Sequence, residues 1–466
     1  MLKLSVPKLT TAQLVVMSFV LVIFIGTILL RLPYAHVGEL SWTDAVFTAT
    51  SATCVTGLIV KDTGHDFTMF GQIVIMCLIQ IGGLGLMTLS SAFLLLMGRR
   101  LTRSHWTIVR DMFDVNGQIR LRTLIQGILL VTLICEALGS FILYEWWQSA
   151  PPAHIPLMMK ENLLFSAIFH AISAFCNAGF SLFSNNLESF VRDPVTTVVI
   201  ALLFIIGGLG YFVLVELIWK IWKERHHWRR LPAVLSLHTR LVLRVTFILI
   251  LSGTILILVF ESGNPIFHSL NWYQRLLAAF FQAVTPRTAG FNTLPIDQLT
   301  TPTLLLMMTL MVIGASPGST GGGIKTTTLA ILYGSARAEI QGDDEVLIMH
   351  RRIPRETVRR AIAVGFIALG VIGVGALFIL FFEATFVPFK HVGGLYLRIL
   401  FETISAFGTV GLSTGLTGQL TTLSKWLLSI IMLFGRVGPL TIVYTITERR
   451  IQPQTIELPE EPVMIG

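Results

Sequence analysis

The feature that most constrains this chain is a phrase of eight residues that occurs four times and aligns without gaps. The four copies are residues 51–58, 173–180, 284–291 and 405–412, and the seventh residue of each is glycine. These glycines are separated by 122, 111 and 121 residues, and a second matched phrase follows each of them after 24 to 28 residues. Self-similarity at a regular spacing indicates repeated structural units. We therefore predict four similar units of somewhat over a hundred residues each.

The composition indicates whether these units fold in water or in a lipid bilayer. The chain is 53% hydrophobic and only 13% charged, with a mean hydropathy of +0.75. This leaves too little charge to cover a soluble surface. Apolar runs of 17 or more residues recur along the chain, and each is long enough to cross about 30 Å of hydrocarbon. We predict an all-α integral membrane protein.

Each unit has the same predicted order: an outer helix, a short pore segment, a glycine loop and a second long helix. The outer helices are predicted at 12–31, 122–147, 240–261 and 360–384, and the second helices at 70–97, 194–222, 302–340 and 425–447. This organisation gives about eight transmembrane helices and four re-entrant pore helices, with pseudo-fourfold symmetry around one pore. The repeats are assigned to 1–98, 99–223, 224–341 and 342–450, followed by a tail at 451–466.

The pore segments are predicted at 42–53, 161–175, 272–285 and 395–407. Twelve residues of helix rise only about 18 Å, so these segments cannot span a bilayer. Backbone that re-enters the membrane must be buried in protein or line a water-filled cavity, which four such segments around one axis achieve. Their C-terminal ends carry a partial negative charge and therefore favour a cation.

The loops after the pore segments are the predicted ion site. Glycine permits backbone conformations closed to other residues, so these loops can point carbonyls at K⁺ as the filters of K⁺ channels do. The alternative, that glycine merely allows close helix packing, is assigned to Gly82, Gly85, Gly207 and Gly210. The candidate filter residues, which hold K⁺ through backbone carbonyls, are Cys54, Val55, Thr56, Gly57, Cys176, Asn177, Ala178, Gly179, Thr288, Ala289, Gly290, Thr409, Val410 and Gly411.

The charge distribution predicts topology. A net charge of +8 and a pI near 9.5 do not indicate nucleic-acid binding, because no basic face interleaved with aromatic residues is present. If residue 1 is cytoplasmic, 23 of the 34 Lys and Arg residues fall on that side, which predicts cytoplasmic termini. The apolar stretch at 14–30 lacks a cleavage pattern and is predicted to be a retained helix. The four cysteines have neither metal-ligand nor disulfide spacing.

The residues at 53–57, 176–180, 287–291 and 409–411 resemble the filter motifs of the Trk/Ktr/HKT superfamily of K⁺ transporters. The resemblance covers nearly the whole chain and is strongest to the membrane subunit of bacterial Ktr systems. It implies a homodimer in the bacterial plasma membrane, a cytoplasmic RCK-type regulatory ring that binds the nucleotide in place of this chain, and Na⁺ as an activator. Glycine in all four filters implies a preference for K⁺, whereas serine in the first filter of some plant relatives accompanies Na⁺ permeation.

The third unit contains the candidate gate. Five glycines and a proline among small hydroxyl residues cannot form continuous helix. The run is not a P-loop, because Ile324 separates Gly323 from Lys325. The repeat puts it on the pore axis below the filter, so it is predicted to obstruct ions until it moves, as the resemblance also implies; a simple kink is the alternative. The candidate gate residues are Gly314, Ala315, Ser316, Pro317, Gly318, Ser319, Thr320, Gly321, Gly322, Gly323, Lys325 and Arg436.

Arg436 aligns with Gly83 and Gly208, although a charge at this depth is costly unless it is paired or wetted. We predict that it faces the pore axis and either donates to carbonyls of the gate or repels cations; an ion pair with a carboxylate is the alternative. Arg287, beside the third filter, is predicted to turn outward or bind backbone. Four polar residues of the pore segments are predicted to hold loops or caps, with attraction of cations by the acids as the alternative: Asp44, His170, Gln282 and Glu402.

These features together predict a channel-like K⁺-translocating subunit of a bacterial potassium uptake system. The alternative is a Na⁺- or H⁺-coupled secondary transporter, which would have two rocking halves. An enzyme is not predicted, because no acid–base, nucleophile–base or metal motif lies outside the apolar repeats. The basic loops at 101–119 and 223–237 suit anionic lipid or a protein partner, and the tail is predicted to dock on a partner or the second protomer.

Overall fold

The computed structural model describes residues 11–85, 121–149, 162–223, 234–384, 394–438 and 441. Within these residues the regular structure is helical apart from two short antiparallel strands, β1 (Leu347–Ile348) and β2 (Arg351–Arg352). Three small 3₁₀ turns, Glu188–Phe190, Ile296–Gln298 and Thr417–Gln419, lie in loops. The predicted all-α class is confirmed. The loop at 101–119, most of that at 223–237, and the tail lie outside the described residues.

The outer helices agree with the prediction to within a few residues at each end. Outer helices 1 to 4 are Thr11–Leu30, Leu121–Ser149, Leu237–Phe260 and Arg355–Ala384. Among the described residues, these four are the single helices long and apolar enough to cross a membrane. Large apolar side chains are exposed along all four, including Phe24, Phe141, Phe247 and Phe366. Exposed apolar surface on this scale suits contact with lipid.

The four pore helices are also confirmed, each within two residues of its predicted bounds. Pore helices 1 to 4 are Trp42–Thr53, Leu163–Phe175, Trp272–Val284 and Leu395–Gly408. Their second halves are almost entirely buried in protein, which satisfies the condition for re-entrant backbone.

The inner helices are not continuous over their predicted ranges. They are inner helix 1 (Met69–Leu84), inner helix 2 (Pro194–Leu209, then Tyr211–Lys223), inner helix 3 (Thr301–Val312, then Thr326–Gln341) and inner helix 4 (Thr422–Val437). The prediction of continuous helices in repeats 1, 2 and 4 is wrong. These helices end at Gly85, Gly210 and Gly438, whose φ angles are 78°, 97° and 95°, and a positive φ cannot continue a right-handed helix.

The two halves of inner helix 2 meet at an angle of 99°. The predicted helical residues 86–97 of repeat 1, and those beyond 438 in repeat 4 except residue 441, lie outside the described residues. Close packing is observed at three of the glycines to which it was assigned. A Cβ on Gly82 would collide with the carbonyl oxygen of Thr53, and one on Gly207 with that of Phe175. Gly210 ends its helix and also packs closely, since a Cβ there would lie 2.6 Å from the carbonyl oxygen of Pro317. Gly85 ends its helix.

The repeats close into a ring in chain order. Inner helix 1 packs against pore helix 2, inner helix 2 against pore helix 3, inner helix 3 against pore helix 4, and inner helix 4 against pore helix 1. At this last seam Lys425 Nζ lies 3.0 Å from Asp44 Oδ1, and both side chains are mostly buried. The pseudo-fourfold arrangement around one axis follows from these contacts.

Repeats 3 and 4 are also joined internally in the same way. Glu261, at the end of outer helix 3, accepts hydrogen bonds from the amide and hydroxyl of Thr300 at 2.9 and 2.8 Å. Glu383, near the end of outer helix 4, accepts the same pair from Thr421 at the same distances. Both threonines are N-caps of inner helices, where unpaired amides favour an anionic partner.

Candidate functional site

The four filter loops, residues 54–57, 176–179, 288–290 and 409–411, share an unusual backbone conformation. In each, the glycine and the residue two positions before it have positive φ: Val55 (56°) and Gly57 (93°), Asn177 (60°) and Gly179 (68°), Thr288 (73°) and Gly290 (76°), Thr409 (49°) and Gly411 (91°). Positive φ is rare and strained outside glycine. An extended chain points successive carbonyls to opposite sides, and a φ that alternates in sign turns them toward the same side.

The filter glycines form a closed ring in which each faces a carbonyl oxygen of the following repeat. A Cβ added to a filter glycine would lie against that oxygen. The pairs are Gly57 with Ala178, Gly179 with Ala289, Gly290 with Val410, and Gly411 with Thr56. A side chain is therefore excluded at these positions by the lack of space as well as by φ. The four filter loops therefore surround one opening, an arrangement in which backbone carbonyls can replace the water around a dehydrated cation.

A hydroxyl near the end of each pore helix holds the filter loop that follows. Ser51 Oγ donates to the carbonyl of Leu58 at 2.7 Å, and Ser173 Oγ to that of Phe180 at 2.7 Å. Ser405 Oγ accepts from the amide of Gly411 at 3.1 Å. In repeat 3 the donor is Thr285, at 2.5 Å from the carbonyl of Phe291, one residue later than the gapless alignment of the repeats predicts. The role of these hydroxyls was not predicted from the sequence, although serine recurs in three of the four phrases.

Two side chains next to the filter backbone, those of Cys176 and Arg287, contact outer helices. Cys176 Sγ lies 3.6 Å from Gln80 Oε1 and 3.8 Å from Glu136 Oε1, and Gln80 Nε2 donates to Glu136 at 3.2 Å. Arg287 is buried and donates to Thr246 Oγ1 on outer helix 3 at 3.2 Å. Arg287 thus turns outward as predicted, whereas the group around Glu136 was not anticipated from the sequence.

A cavity of about 390 Å³ opens onto the four filter glycines. It is lined by the loops that follow the filters, so it lies on the opposite side of the filters from their pore-helix ends. Three acids line it, Asp62, Glu188 and Asp297, and its lining among the described residues contains no Lys or Arg. A narrow space lined by charges of one sign raises the local concentration of counter-ions. This outer cavity therefore favours cations.

Glu188 is held in place at this cavity by a neighbouring repeat. Its Oε1 accepts a hydrogen bond from Asn292 Nδ2 at 2.8 Å, and the amide of Leu187 donates to the carbonyl of Asn292 at 3.1 Å. Partial burial raises the pKa of the Glu188 carboxyl; the hydrogen bond from Asn292 opposes this, and the charge of Asp297 adds to it. Glu188 takes up a proton at a higher pH than an ordinary glutamate.

The four polar residues of the pore helices hold loops or caps, as predicted. Glu402 accepts from Ser413 Oγ, the Thr414 amide and Thr417 Oγ1 at 2.7, 2.9 and 2.6 Å. His170 Nε2 contacts Ser181 Oγ at 3.0 Å, and Gln282 Nε2 donates to the carbonyl of Leu294 at 3.4 Å. Asp44 Oδ2 accepts a hydrogen bond from the hydroxyl of the N-cap residue Ser41 at 2.8 Å. None of these four residues lines the outer cavity, so the acids that attract cations there are others.

The glycine-rich loop, residues 313–325, replaces the middle of inner helix 3 and is internally bonded. The Ala315 amide donates to the carbonyl of Gly322, and that of Ile324 to the carbonyl of Val312, both at 3.3 Å. Ala315, Ser316 and Thr320 are fully buried. Thirteen residues without helix are much more than a kink. The segment is a compact folded loop inside the protein.

This loop also completes the bend of inner helix 2. The amides of Ser316 and Thr320 donate to the carbonyls of Gly208 and Gly207 at 3.1 and 3.3 Å, and the amide of Tyr211 donates to the carbonyl of Gly318 at 2.9 Å. A helix that stops inside a protein leaves backbone groups that need partners. The loop supplies those partners, which explains how a bend of 99° is maintained.

Two basic side chains donate hydrogen bonds to carbonyls of the glycine-rich loop. Arg436 donates to the carbonyl of Thr320 and, through its other terminal nitrogen, to that of Gly82. Lys325 Nζ donates to the carbonyls of Gly321 and Gly322 at 2.8 and 3.3 Å. Among the described residues no carboxylate forms an ion pair with Arg436. The predicted contact of Arg436 with gate carbonyls is therefore observed in place of the predicted alternative ion pair.

The comparisons with known proteins agree with this geometry. A family model described as TrkH, a cation transport protein, matches residues 7–455. The solved structure of the potassium transporter TrkH from Vibrio parahaemolyticus has a TM-score of 0.70 with this chain at 19% identity, covering 96% of this chain and 86% of that one. At this level of identity the match shows the fold.

Two relatives are similar over almost their whole length. The Ktr system potassium uptake protein B of Vibrio alginolyticus is 40% identical, over 97% of this chain and 94% of that protein. The protein of the same name in Bacillus subtilis strain 168 is 39% identical, over 98% of this chain and 97% of that protein. From the matched family model and these relatives, we conclude that the chain is a member of the TrkH family of cation transport proteins and a multi-pass membrane protein.

Proposed function

We propose that this chain is the K⁺-translocating subunit of a bacterial potassium uptake system and that it forms a channel-like selective pore. The observation that carries the proposal is the closed ring of four filter glycines and their neighbouring carbonyls. The acid-lined cavity above this ring supports cation capture. Both relatives described above are named potassium uptake proteins.

The glycine-rich loop is proposed to gate this pore. It is buried beneath the filter loops, and Arg436 and Lys325 hold its carbonyls. The relatives are named as parts of a Ktr system, which supports control by further subunits. We propose a homodimer in the bacterial plasma membrane with cytoplasmic termini, an RCK-type cytoplasmic ring that carries the nucleotide, and Na⁺ as an activator.

Cation flux into liposomes containing the purified chain tests the filter. The wild type is expected to carry K⁺ and Rb⁺ in preference to Na⁺ and Li⁺, and Gly290→Ser is expected to lose this preference because a side chain there meets the Val410 carbonyl. Gly38→Ser is the control, since Gly38 also has positive φ, 73°, but has nothing within 4 Å of an added Cβ. Equal effects of both substitutions would contradict the filter assignment.

Deletion of residues 316–322 tests the gate. Removal of the obstruction is expected to raise K⁺ flux without changing the order of cation preference. Unchanged or lower flux in a folded variant would contradict a gating role. Flux in strict proportion to an imposed Na⁺ or H⁺ gradient would instead identify a coupled secondary transporter.

A further inference from the structure

The residues immediately beneath the filter glycines form a second ring, which we name the inner ring: Val55, Asn177, Thr288 and Thr409. Each lies two positions before its filter glycine and has positive φ, between 49° and 73°. All four are buried, with at most 1% of each exposed. Three of these side chains are polar and one is apolar. Buried polar groups at strained backbone positions require partners.

The partners of the polar members belong to the glycine-rich loop. Thr320 Oγ1 donates to Asn177 Oδ1 at 2.9 Å, and the Gly322 amide donates to Thr409 Oγ1 at 3.0 Å. Between them, Gly321 lies so close to Thr288 that a Cβ on Gly321 would collide with the Thr288 hydroxyl. Three successive loop residues therefore contact three successive repeats.

The inner ring is also bonded within itself. Asn177 Nδ2 lies 3.4 Å from Thr288 Oγ1, so the Asn177 amide connects repeats 2 and 3 to the loop. The apolar member differs: Val55 packs beside Gly82, whose carbonyl is bound by Arg436. The loop is thus held on three sides by inner-ring side chains, and on the fourth side through Arg436.

We propose that Asn177 and Thr409 are positioning residues that latch the glycine-rich loop to the inner end of the filter. This inference deepens the proposed gating function and rests on it. In the latched state the filter and the loop are one hydrogen-bonded body, so the loop leaves the pore only when these bonds break. Loss of either latch bond shifts the loop toward its displaced state without altering the carbonyl ring above.

The test uses near-isosteric substitutions that remove the latch bonds, Asn177→Leu and Thr409→Val, with K⁺ and Na⁺ flux measured on the full chain in liposomes. Each is expected to raise K⁺ flux about fivefold, the effect of losing one net hydrogen bond, while the K⁺/Na⁺ ratio is unchanged. Thr48→Val is the matched control, because the Thr48 hydroxyl is buried in pore helix 1 and has no hydrogen-bond partner. It is expected to leave flux at the wild-type level.

Thr320→Val removes the bond to Asn177 from the loop side and leaves the filter residues unchanged, so its effect cannot come from filter damage. Asn177→Leu also removes the contact with Thr288, and Thr320→Val also removes a 3.4 Å contact with the Phe175 carbonyl. The Asn177→Leu/Thr320→Val double variant is expected to raise flux by less than the product of the two single effects, since residues that share one contact are not additive. In a background that lacks residues 316–322, neither ring substitution is expected to add flux.

Two results would overturn the latch: unchanged flux in Asn177→Leu, Thr409→Val and Thr320→Val, or an equal increase from the ring substitutions when the loop is absent. These failures are distinguishable from failure of the gate itself. If the deletion raises flux but the substitutions do not, the loop gates without this latch. If the deletion has no effect, the gating proposal and the latch fall together.

Discussion

The filter loops and the ends of the inner helices are both repeated four times, but only the filter loops keep one structure. In the filter loops the same two positions have positive φ in every repeat, and each glycine meets the next repeat's carbonyl. At the inner helix ends, the equivalent position is occupied by Gly83, Gly208, Ala315 and Arg436 in turn. Inner helix 2 bends by 99°, and inner helix 3 is interrupted by thirteen residues without helix.

The difference follows from what each region is proposed to do. A cation on the axis is coordinated from four sides, so each repeat must supply the same backbone geometry. A gate, by contrast, can block the pore with a single segment of chain on the axis. One repeat supplies the loop, and its neighbours supply groups that bind it: the carbonyls of Gly207 and Gly208 from repeat 2 and the guanidinium of Arg436 from repeat 4.

The largest effect on flux is expected when repeat 4 is given the residue of repeat 3 at the position of Arg436, which is alanine. Arg436→Ala removes two hydrogen bonds from a charged donor to Thr320 and Gly82. Each such bond contributes about 1.5–3 kcal/mol, so the loss of both is expected to raise K⁺ flux about a hundredfold or more. The measurement is the initial rate of K⁺ flux into liposomes.

Arg436→Lys separates the two roles predicted for this residue. It keeps the positive charge but lacks the planar fork that reaches two carbonyls. If Arg436 acts by holding the loop, the lysine variant is expected to have an intermediate flux. If charge repulsion alone closes the pore, the lysine variant will behave as the wild type, which would contradict the bonding role.

A smaller effect is expected at the outer cavity, where the repeats also differ. Glu188→Gln removes one of three acids and is expected to lower K⁺ flux at low ionic strength by about two- to threefold. Because the pKa of Glu188 is raised by burial, falling external pH neutralises this carboxylate early. Wild-type flux is therefore expected to decline with weak acidification, and the Glu188→Gln variant is expected to lose this part of the decline.

Glu39→Gln is the control for this experiment, because Glu39 is exposed and does not line the cavity. It should reproduce the flux and pH profile of the wild type. The role assigned to Glu188 would be wrong if both variants had the same profile.

The smallest effect is expected at the seam between repeats 4 and 1. Asp44 and Lys425 are 3.0 Å apart, and each side chain is 14% exposed. A double-mutant cycle with Asp44→Asn and Lys425→Met is expected to give a coupling free energy of about 1 kcal/mol, as for other residues in direct contact. The measurement is thermal unfolding in detergent, and cation preference should stay unchanged. A coupling near zero would show that ring closure rests on helix packing alone.

Much of the repeat architecture was predictable because it depends on local pattern. The pore helices agreed within two residues, since their length and the following glycine recur in each unit. The continuity of the inner helices was not predictable. Gly85 and Gly210 resemble packing glycines in sequence, and only their φ angles reveal that they end helices. Likewise, Thr285 takes the part of an aligned serine although it lies one position later in the phrase, just beyond the end of pore helix 3.

Three properties of this protein can be read from the order of its residues: the chain lies in lipid, it consists of four units, and every filter has glycine at one position. Hydropathy and repetition do not depend on how the chain folds. The tertiary structure alone decided which repeats touch, which acids face the cavity, and what the glycine-rich loop binds. These depend on contacts between residues more than a hundred positions apart, such as Thr320 with Asn177 and Arg436 with Gly82. Such contacts exist only after the ring of four repeats has closed.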